Sequence, residues 1–139
     1  MKLRFIGVVD KADERGISKI RIFDDFREGL EGLDTFSHII ILYWLHLQAT
    51  DERRRVLKVI PMGRAGNPKV GVFASRSPSR PNSIGLCVAE LVKLEGDILS
   101  VKGFDAFAGS QIIDIKPYLP RIDAFPEAAV PQWARARHP

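Results

Sequence analysis

Short stretches in which apolar and polar side chains alternate recur along the chain, and this pattern predicts β-strands. These stretches are rich in β-branched and aromatic residues and are separated by glycine and proline. Strands are predicted at residues 3–9, 19–23, 38–47, 55–60, 69–74 and 111–118. A hairpin is predicted over residues 84–104, where Gly96 and Asp97 supply the turn between two alternating arms.

Helical signals are weak and confined to two segments. Residues 24–33 are predicted to form a short helix capped by Asp24 or Asp25, and residues 127–138 a terminal helix interrupted by Pro131. Because about seven short strands occur without strand–helix alternation, we expect a mainly β fold, a compact antiparallel β-barrel with short peripheral helices. Residues 1–139 are expected to form this single domain, with 124–139 as a C-terminal tail.

Composition places the chain among ordinary globular domains. It has 139 residues, of which 45% are hydrophobic and 27% charged. The longest apolar run, Ile39–Leu45, is too short to span a bilayer, and the N-terminus lacks a signal-peptide pattern. The single cysteine, Cys87, fits a reducing cytoplasm. We expect no metal site, because His38, His46 and His138 lack zinc-ligand spacing with that cysteine.

Positive charge is concentrated in one segment. Residues 53–89 contain eight Lys and Arg residues and no Asp or Glu, whereas the net charge of the whole chain is only +4. Such an asymmetry suits a surface that binds a polyanion, since binding to phosphates gains free energy from the release of condensed counterions. The alternative is a solvated basic surface that only aids solubility.

Several common enzyme sites are excluded by their missing motifs. The sequence has no G-x-G-x-x-G after a strand and no G-x-x-x-x-G-K-[ST], which argues against a Rossmann dinucleotide site and a P-loop. Ser75, Ser77 and Ser79 are not surrounded by G-x-S-x-G and have no histidine nearby in sequence. A serine hydrolase is therefore not expected.

The stretch "VFASRSPSRPNSIGL", residues 72–86, predicts a ligand-binding loop. Arg76 and Arg80 each present fixed N–H donors that suit a carboxylate, a phosphate or a base edge. Pro78 and Pro81 stiffen the loop and lower the entropy cost of aiming these arginines and Asn82 at a ligand. The alternative is a proline-rich turn whose arginines pair with acidic neighbours, although the loop itself supplies no acid.

A second polar segment lies at residues 103–120. Asp105 falls in a turn, and Asp114, Lys116 and Tyr118 then alternate on one face of a predicted strand. An acid, a base and a phenol are costly to bury without partners. They therefore mark either a polar surface or a site.

Three ordered motifs give the chain a specific resemblance. The motifs are "GLDTFSHIIILYWLH", "GVFASRSPSRPNSIGL" and "FDAFAGSQIIDIKPYLP", and the match runs from about Phe5 to Asp123. They resemble the TsaA-like family, that of the TrmO-type tRNA methyltransferases. The resemblance implies a β-barrel that binds S-adenosylmethionine without a Rossmann fold, usually as a homodimer with the cofactor near the subunit interface. It also implies methyl transfer to the N6 amine of threonylcarbamoyl-adenosine beside the tRNA anticodon. The chain is expected to lack the further C-terminal domain of longer bacterial members.

The resemblance assigns roles to individual residues. Expected cofactor contacts are His46, Leu47, Arg76, Leu86, Phe104, Asp105, Ala106 and Phe107. Expected contacts to the tRNA are Arg53, Arg54, Arg55, Arg80, Asn82 and Lys116. Asp114 or Tyr118 could accept the proton of the attacking amine, although no strong base is obligatory because that proton can leave after attack. His46 could instead be a structural histidine at a strand end, and His38, Tyr43 and Trp44 are expected to be structural.

The chain also departs from the family pattern. Ser83 stands where the family usually has the second proline of R-P-N-P-I-G, and Leu47 follows the histidine where a glutamine is common, with Gln48 one place later. Residues 108–111 read Ala-Gly-Ser-Gln in place of D-G-T-P. The loss of an acid at Ala108 motivates an alternative function, a non-catalytic module of the same fold that docks RNA or senses S-adenosylmethionine.

Overall fold

A computed structural model describes residues 1–13 and 15–135. Eight strands occur in this part of the chain: β1 Gly7–Val9, β2 Ile17–Ile22, β3 His38–Trp44, β4 Lys58–Val59, β5 Val70–Gly71, β6 Ile84–Glu95, β7 Ile98–Lys102 and β8 Gln111–Pro117. Six of them close into an antiparallel barrel in the order β1-β2-β7-β6-β3-β8, and β8 pairs back to β1. The predicted mainly β barrel is confirmed.

The barrel interior is filled by alternate residues of its strands. Successive side chains of a strand point to opposite faces, so every second position can be apolar and buried. The inward positions of β2, β3, β7 and β8 carry Ile20, Ile22, Ile39, Ile41, Leu99, Val101 and Ile112, all at most 1% exposed. Each such side chain contributes roughly 1.5–3 kcal/mol through the water-accessible surface it buries. This interior fixes which face of each strand can carry a site.

The helices are short and peripheral, as predicted. The α-helices are α1 Asp51–Arg54 and α2 Pro120–Asp123, and 3-10 turns occur at Asp24–Leu30, Leu33–Thr35, Pro61–Gly63, Val72–Ala74 and Gln132–Ala134. None of the helices within the described ranges is long and apolar enough to cross a membrane.

Both helix predictions need correction. The segment after Phe23 is a 3-10 turn whose N-cap is Phe23 itself, with no side-chain cap, so neither Asp24 nor Asp25 caps it. The predicted terminal helix over 127–138 is reduced to the 3-10 turn at Gln132–Ala134, because Pro131 precedes it and lacks a backbone N–H. Residues 136–138, including His138, lie outside the described residues.

The predicted strands at 55–60 and 69–74 are largely wrong. Only β4 and β5 remain of them, and these two-residue strands pair with each other outside the barrel. Residues 55–57 form a turn and irregular backbone after α1, which is capped where the Thr50 Oγ1 accepts a hydrogen bond of 3.2 Å from the Arg53 N–H. The first strand also begins later than predicted, at Gly7.

Candidate functional site

Two adjoining clefts lie at the C-terminal end of β3. The first, here called the arginine cleft, has a volume of about 560 Å³ and lies between this strand end and residues 75–86. The second, the histidine cleft, has a volume of about 240 Å³ and faces residues 105–110. Tyr43, Leu45 and Gln48 line both clefts and so form their common wall.

Most of the predicted cofactor residues meet at these clefts, although they come from three separate parts of the sequence. Arg76 and Leu86 line the arginine cleft, together with Arg80 and Asn82 of the predicted tRNA set. The histidine cleft is lined by His46, Asp105, Ala106, Phe107 and Ser110. The arrangement therefore joins a guanidinium, a carboxylate, an imidazole and apolar walls within one continuous surface.

Two predicted cofactor residues do not line either cleft. Phe104 is 3% exposed and belongs to the core, where its ring meets the Tyr43 ring edge-on with centroids 4.9 Å apart. Its aromatic ring therefore supports the wall formed by Tyr43 and does not face a ligand. Leu47 is 57% exposed, lies in the turn that follows β3 and lines neither cleft.

The loop at residues 75–82, here called the arginine loop, is held together by its own serines. The Ser75 hydroxyl donates to the Val72 carbonyl at 2.9 Å and accepts from the Ser77 N–H at 3.3 Å. The Ser77 hydroxyl accepts in turn from the Ser79 N–H at 3.1 Å. Such side-chain turns satisfy backbone groups locally, so these serines build the loop and are not free for a ligand.

The two arginines of this loop differ in their contacts. Arg80 is partly buried, and its Nη1 donates to the carbonyl oxygens of Ser75 and Ser77 at 3.0 and 3.1 Å. Arg80 therefore holds the arginine loop in shape, which corrects its prediction as mainly a tRNA contact. The exposed Arg76 forms no hydrogen bond or ion pair with the described residues, so its guanidinium is available to a ligand.

The arginine run of α1 is also divided. The Arg54 Nε donates to the Pro81 carbonyl oxygen at 2.8 Å, and its guanidinium lies 5.6 Å from the centre of the Trp44 ring. Arg53 and Arg55 are exposed, and neither side chain bonds to any part of the chain that the structure describes. Of the three predicted tRNA contacts on this helix, two are therefore free and one is engaged with the arginine loop.

The histidine cleft holds polar groups that the sequence did not single out. The Ser110 hydroxyl is buried and lies 3.3 Å from the His46 Nδ1, which fixes the orientation of this exposed ring. The Gln48 Oε1 is buried and has no hydrogen-bond partner among the described residues. A buried carbonyl oxygen without a donor is costly, so Gln48 provides an acceptor for a ligand N–H or O–H.

Tyr43 is a further site residue, although it was expected to be structural. Burial, reinforced by the nearby carboxylate of Asp105 and by Cys87, raises the pKa of the Tyr43 phenol above its ordinary value. The phenol therefore stays neutral at physiological pH and can donate a hydrogen bond into the clefts. Its position three residues before His46 in the first motif was the only available signal, and its aromatic character favoured the core interpretation.

Asp114 and Lys116 do not belong to the clefts. They pair with Leu42 and Ile40 of β3, whereas the core side chains Ile39 and Ile41 occupy the alternate positions. Their side chains therefore point out of the barrel. They bind each other there, with 3.0 Å between the Lys116 Nζ and the Asp114 Oδ2. The predictions of Asp114 as a proton acceptor and of Lys116 as a tRNA contact are not supported within this chain.

Tyr118 lies at the opposite end of β3 from the clefts. Its N–H donates to the His38 carbonyl oxygen, and its ring is 6.4 Å from the His38 ring. His38 and Tyr43 are five residues apart on the strand, which corresponds to about 17 Å at ~3.3 Å per residue. Tyr118 of the same chain therefore cannot reach an amine bound in the clefts.

Comparisons with known proteins agree with this fold. The family model for the tRNA-methyltransferase O N-terminal domain matches residues 10–124. The chain is 50% identical over 107 residues to a probable S-adenosyl-L-methionine-binding protein of Methanothermobacter thermautotrophicus, a match that covers 77% of this chain and 73% of that protein. It is 46% identical to an S-adenosyl-L-methionine-binding protein of Archaeoglobus fulgidus, with the same coverage of each chain.

Among solved structures, those of TrmO proteins are similar to this chain in fold. A crystal structure of TrmO from Pseudomonas aeruginosa superposes with a TM-score of 0.76 at 27% identity, and it covers all of this chain. A second TrmO crystal structure gives a TM-score of 0.72 at 30% identity. The chain spans only 65% and 62% of the lengths of these two proteins.

Proposed function

Because the chain belongs to the tRNA-methyltransferase O N-terminal domain family, we propose that it binds S-adenosylmethionine in the two adjoining clefts and methylates a tRNA. The observation that carries this proposal is the meeting of Arg76, Leu86, His46 and Asp105 around the wall formed by Tyr43. All four are among the residues that the family resemblance assigns to the cofactor.

The donor set of the clefts suits S-adenosylmethionine. The free guanidinium of Arg76 would bind the cofactor's carboxylate, and the unpaired Gln48 Oε1 would accept from its ammonium or ribose hydroxyls. Leu86 and Ile84 offer an apolar wall for its adenine. The volume of about 560 Å³ for the arginine cleft falls within the range of ~300–1,000 Å³ that is usual for small-molecule sites.

When bound, the cofactor supplies an electrophilic methyl group on a sulfonium. The contribution of this chain would be to hold the acceptor amine in line with that methyl group and to exclude water. Asp105 is the only carboxylate that lines either cleft within the described residues. It would therefore take over the role of proton acceptor that was predicted for Asp114 or Tyr118.

The proposed acceptor is the N6 amine of threonylcarbamoyl-adenosine beside the anticodon. Arg53 and Arg55 would contact the tRNA backbone, since both are exposed and unengaged in the described part of the chain. A third, apolar cleft of about 990 Å³ lies across the arginine loop and includes Phe73 and Trp133. Its aromatic surfaces would suit an unstacked base of the anticodon loop. A tRNA substrate would place the reaction in the cytoplasm.

We further propose a homodimer. Ile84, Leu86 and Val88 lie on the outer face of β6 and are 38–49% exposed, which leaves an apolar strip whose first two residues also line the arginine cleft. Packing this strip against a second copy would bury it and would bring the partner close to the cofactor.

Two measurements test the proposed function. Calorimetry with S-adenosylmethionine should show saturable binding, and incubation of the protein with total tRNA and the methyl-tritiated cofactor should label the tRNA. Mass spectrometry of the digested nucleosides should place the new methyl group on threonylcarbamoyl-adenosine. Cofactor binding without transfer would favour the non-catalytic sensing module, whereas the absence of binding up to millimolar cofactor would overturn the proposal.

A further inference from the structure

We infer that Arg54 is a positioning residue for the arginine loop, in contrast to its neighbours Arg53 and Arg55, which remain free to contact RNA. This inference rests on the proposed function, because it assigns Arg54 to cofactor binding through the loop. Sequence alone cannot separate three consecutive arginines, which all look like one basic run. The separation comes from the contacts of a single guanidinium.

Arg54 joins three elements of the fold. Its Nε donates to the Pro81 carbonyl oxygen at 2.8 Å, and its Nη2 to the Asn82 Oδ1 at 3.4 Å. The same guanidinium faces the Trp44 ring at 5.6 Å, at the end of β3. The planar fork of an arginine can make these contacts together, whereas the single ammonium of a lysine cannot. Arg54 therefore ties α1 to both the arginine loop and the strand end that walls the clefts.

The contact falls where the arginine loop has no other side-chain support in the described chain. Its first half is held by the serine turns and by Arg80 on the carbonyls of Ser75 and Ser77. Its second half, Pro81–Asn82, is held by Arg54. This half leads directly into β6, whose first residues line the arginine cleft. Arg54 thus fixes the junction between the loop that carries Arg76 and the apolar wall of the cleft.

The geometry of α1 explains why the neighbours act differently. Successive residues of an α-helix are rotated by about 100° around its axis, so three consecutive side chains point in three directions. All three arginines are exposed, but Arg54 bonds to the loop, whereas Arg53 and Arg55 have no partner in the ranges that the structure describes. The helix therefore presents cations to solvent on either side of one that is engaged with the protein.

The test compares four variants, R54A, R54K, R53A and R55A, by calorimetry with S-adenosylmethionine and by tRNA binding over a series of salt concentrations. We expect R54A and R54K to weaken cofactor binding by roughly 5- to 20-fold, because both lose the forked contact to the loop. R53A and R55A should leave cofactor affinity within about twofold and should each flatten the log–log salt dependence of tRNA binding by about one. R54K should keep the wild-type salt dependence.

The outcomes separate this inference from the proposed function. If the wild type binds the cofactor and R54K binds it equally well, the inference is overturned and the proposed function stands. If the wild type binds no cofactor, both fail. Thermal unfolding of each variant monitors folding, and R54K provides the same comparison if R54A does not fold. A loss of cofactor affinity in R53A equal to that in R54K would also contradict the assignment.

Discussion

At the scale of single residues, the Tyr43 ring lies over Gly85 and leaves no room there for a side chain. The two residues pair across β3 and β6, and a Cβ at Gly85 would lie 2.6 Å from the Tyr43 Cζ and 2.8 Å from its Cε1. Gly85→Ala should therefore displace the ring, lower the free energy of unfolding by ~1–3 kcal/mol and weaken cofactor binding. Urea denaturation and calorimetry measure the two effects.

Gly71→Ala is the matched control for this substitution. Gly71 has an ordinary φ of −64°, and the nearest atom to an added Cβ, the Leu57 carbonyl oxygen, would be 3.8 Å away. We expect this variant to bind the cofactor normally. Combining G85A with Y43A should cost no more stability than Y43A alone, since the clashing ring is then absent. An additive loss in the double variant would contradict the steric explanation.

Cys87 is shielded from ionisation. Burial, followed by the charge of Asp105, raises the pKa of the Cys87 thiol, and its Sγ donates to the Gly103 carbonyl oxygen at 3.2 Å. Alkylation by iodoacetamide should therefore be slow at pH 8, and the rate should inflect above the value of ~8.5 that is usual for a free cysteine. Asp105→Asn should move the inflection down, whereas a wild-type inflection at or below ~8.5 would contradict this prediction.

The raised pKa of the Cys87 thiol also predicts how stability changes with pH. The native state retains the thiol proton at a pH where the unfolded chain has begun to lose it. Stability should therefore be unaffected by this group below ~8.5 and should fall as the pH rises from there through the higher native pKa. Urea midpoints of the wild type and of Cys87→Ala between pH 7 and 10 should diverge in that direction.

At the scale of elements, the arginine loop depends on Arg80 as an internal brace. Because its Nη1 donates to the carbonyls of Ser75 and Ser77, Arg80→Ala should loosen the loop and weaken cofactor binding by roughly 5- to 20-fold. Arg64→Ala is the control, since Arg64 is an exposed cation of the same basic segment that lines none of the clefts described above. Equal cofactor affinities for the two variants would show that the brace is dispensable.

The barrel strands were predictable because their alternation of apolar and polar residues matches the inward and outward faces that these residues occupy in the barrel. Alternation in "IGLCVAEL" and "ILSVK" marks β6 and β7, and Gly96, with a φ of +60°, supplies the turn between them. The segment at 55–60 has the same alternation, yet it follows a helix that Thr50 caps and ends at Pro61. Its pairing with only Val70–Gly71 leaves two strand residues, because no barrel partner extends the ladder.

The candidate site was predictable only where a motif carried it. The motifs identified Arg76, His46 and Asp105, which do meet at the clefts. They could not show that Asp114 faces outwards, because that depends on the register between β8 and β3. Nor could they find Gln48, whose role follows from a carbonyl oxygen left unpaired by tertiary packing.

At the scale of the whole molecule, the segment that carries the excess positive charge lies at the clefts. The segment from residue 53 to residue 89, which contains no acid, supplies the end of α1, the arginine loop and the first half of β6. Arg54 and Arg80 of this segment form hydrogen bonds that hold the arginine loop. The eight cations therefore do not act as one phosphate-binding surface. Charge counted from sequence therefore overestimates the number of phosphate contacts.

This distribution leads to a prediction about tRNA binding. Arg53 and Arg55 are exposed and unengaged within the described residues, whereas Lys116 binds Asp114 at 3.0 Å on the outer face of β8. Each phosphate contact contributes ~0.7–0.9 to the log–log slope of affinity against salt. The double variant R53A/R55A should therefore flatten the slope by about 1.4–1.8 and weaken binding to all tRNAs alike, since phosphate contacts do not read sequence. Filter binding between 50 and 200 mM salt, roughly the range over which such contacts are lost, measures it.

Lys116→Ala is the control, and it decides which face of the barrel meets the RNA. If tRNA docks over α1 and the clefts, this variant should keep the wild-type affinity and slope, because Lys116 is paired with Asp114 and lines neither cleft. A slope flattened by K116A and unchanged by R53A/R55A would instead place the RNA on the outer face of β3 and β8.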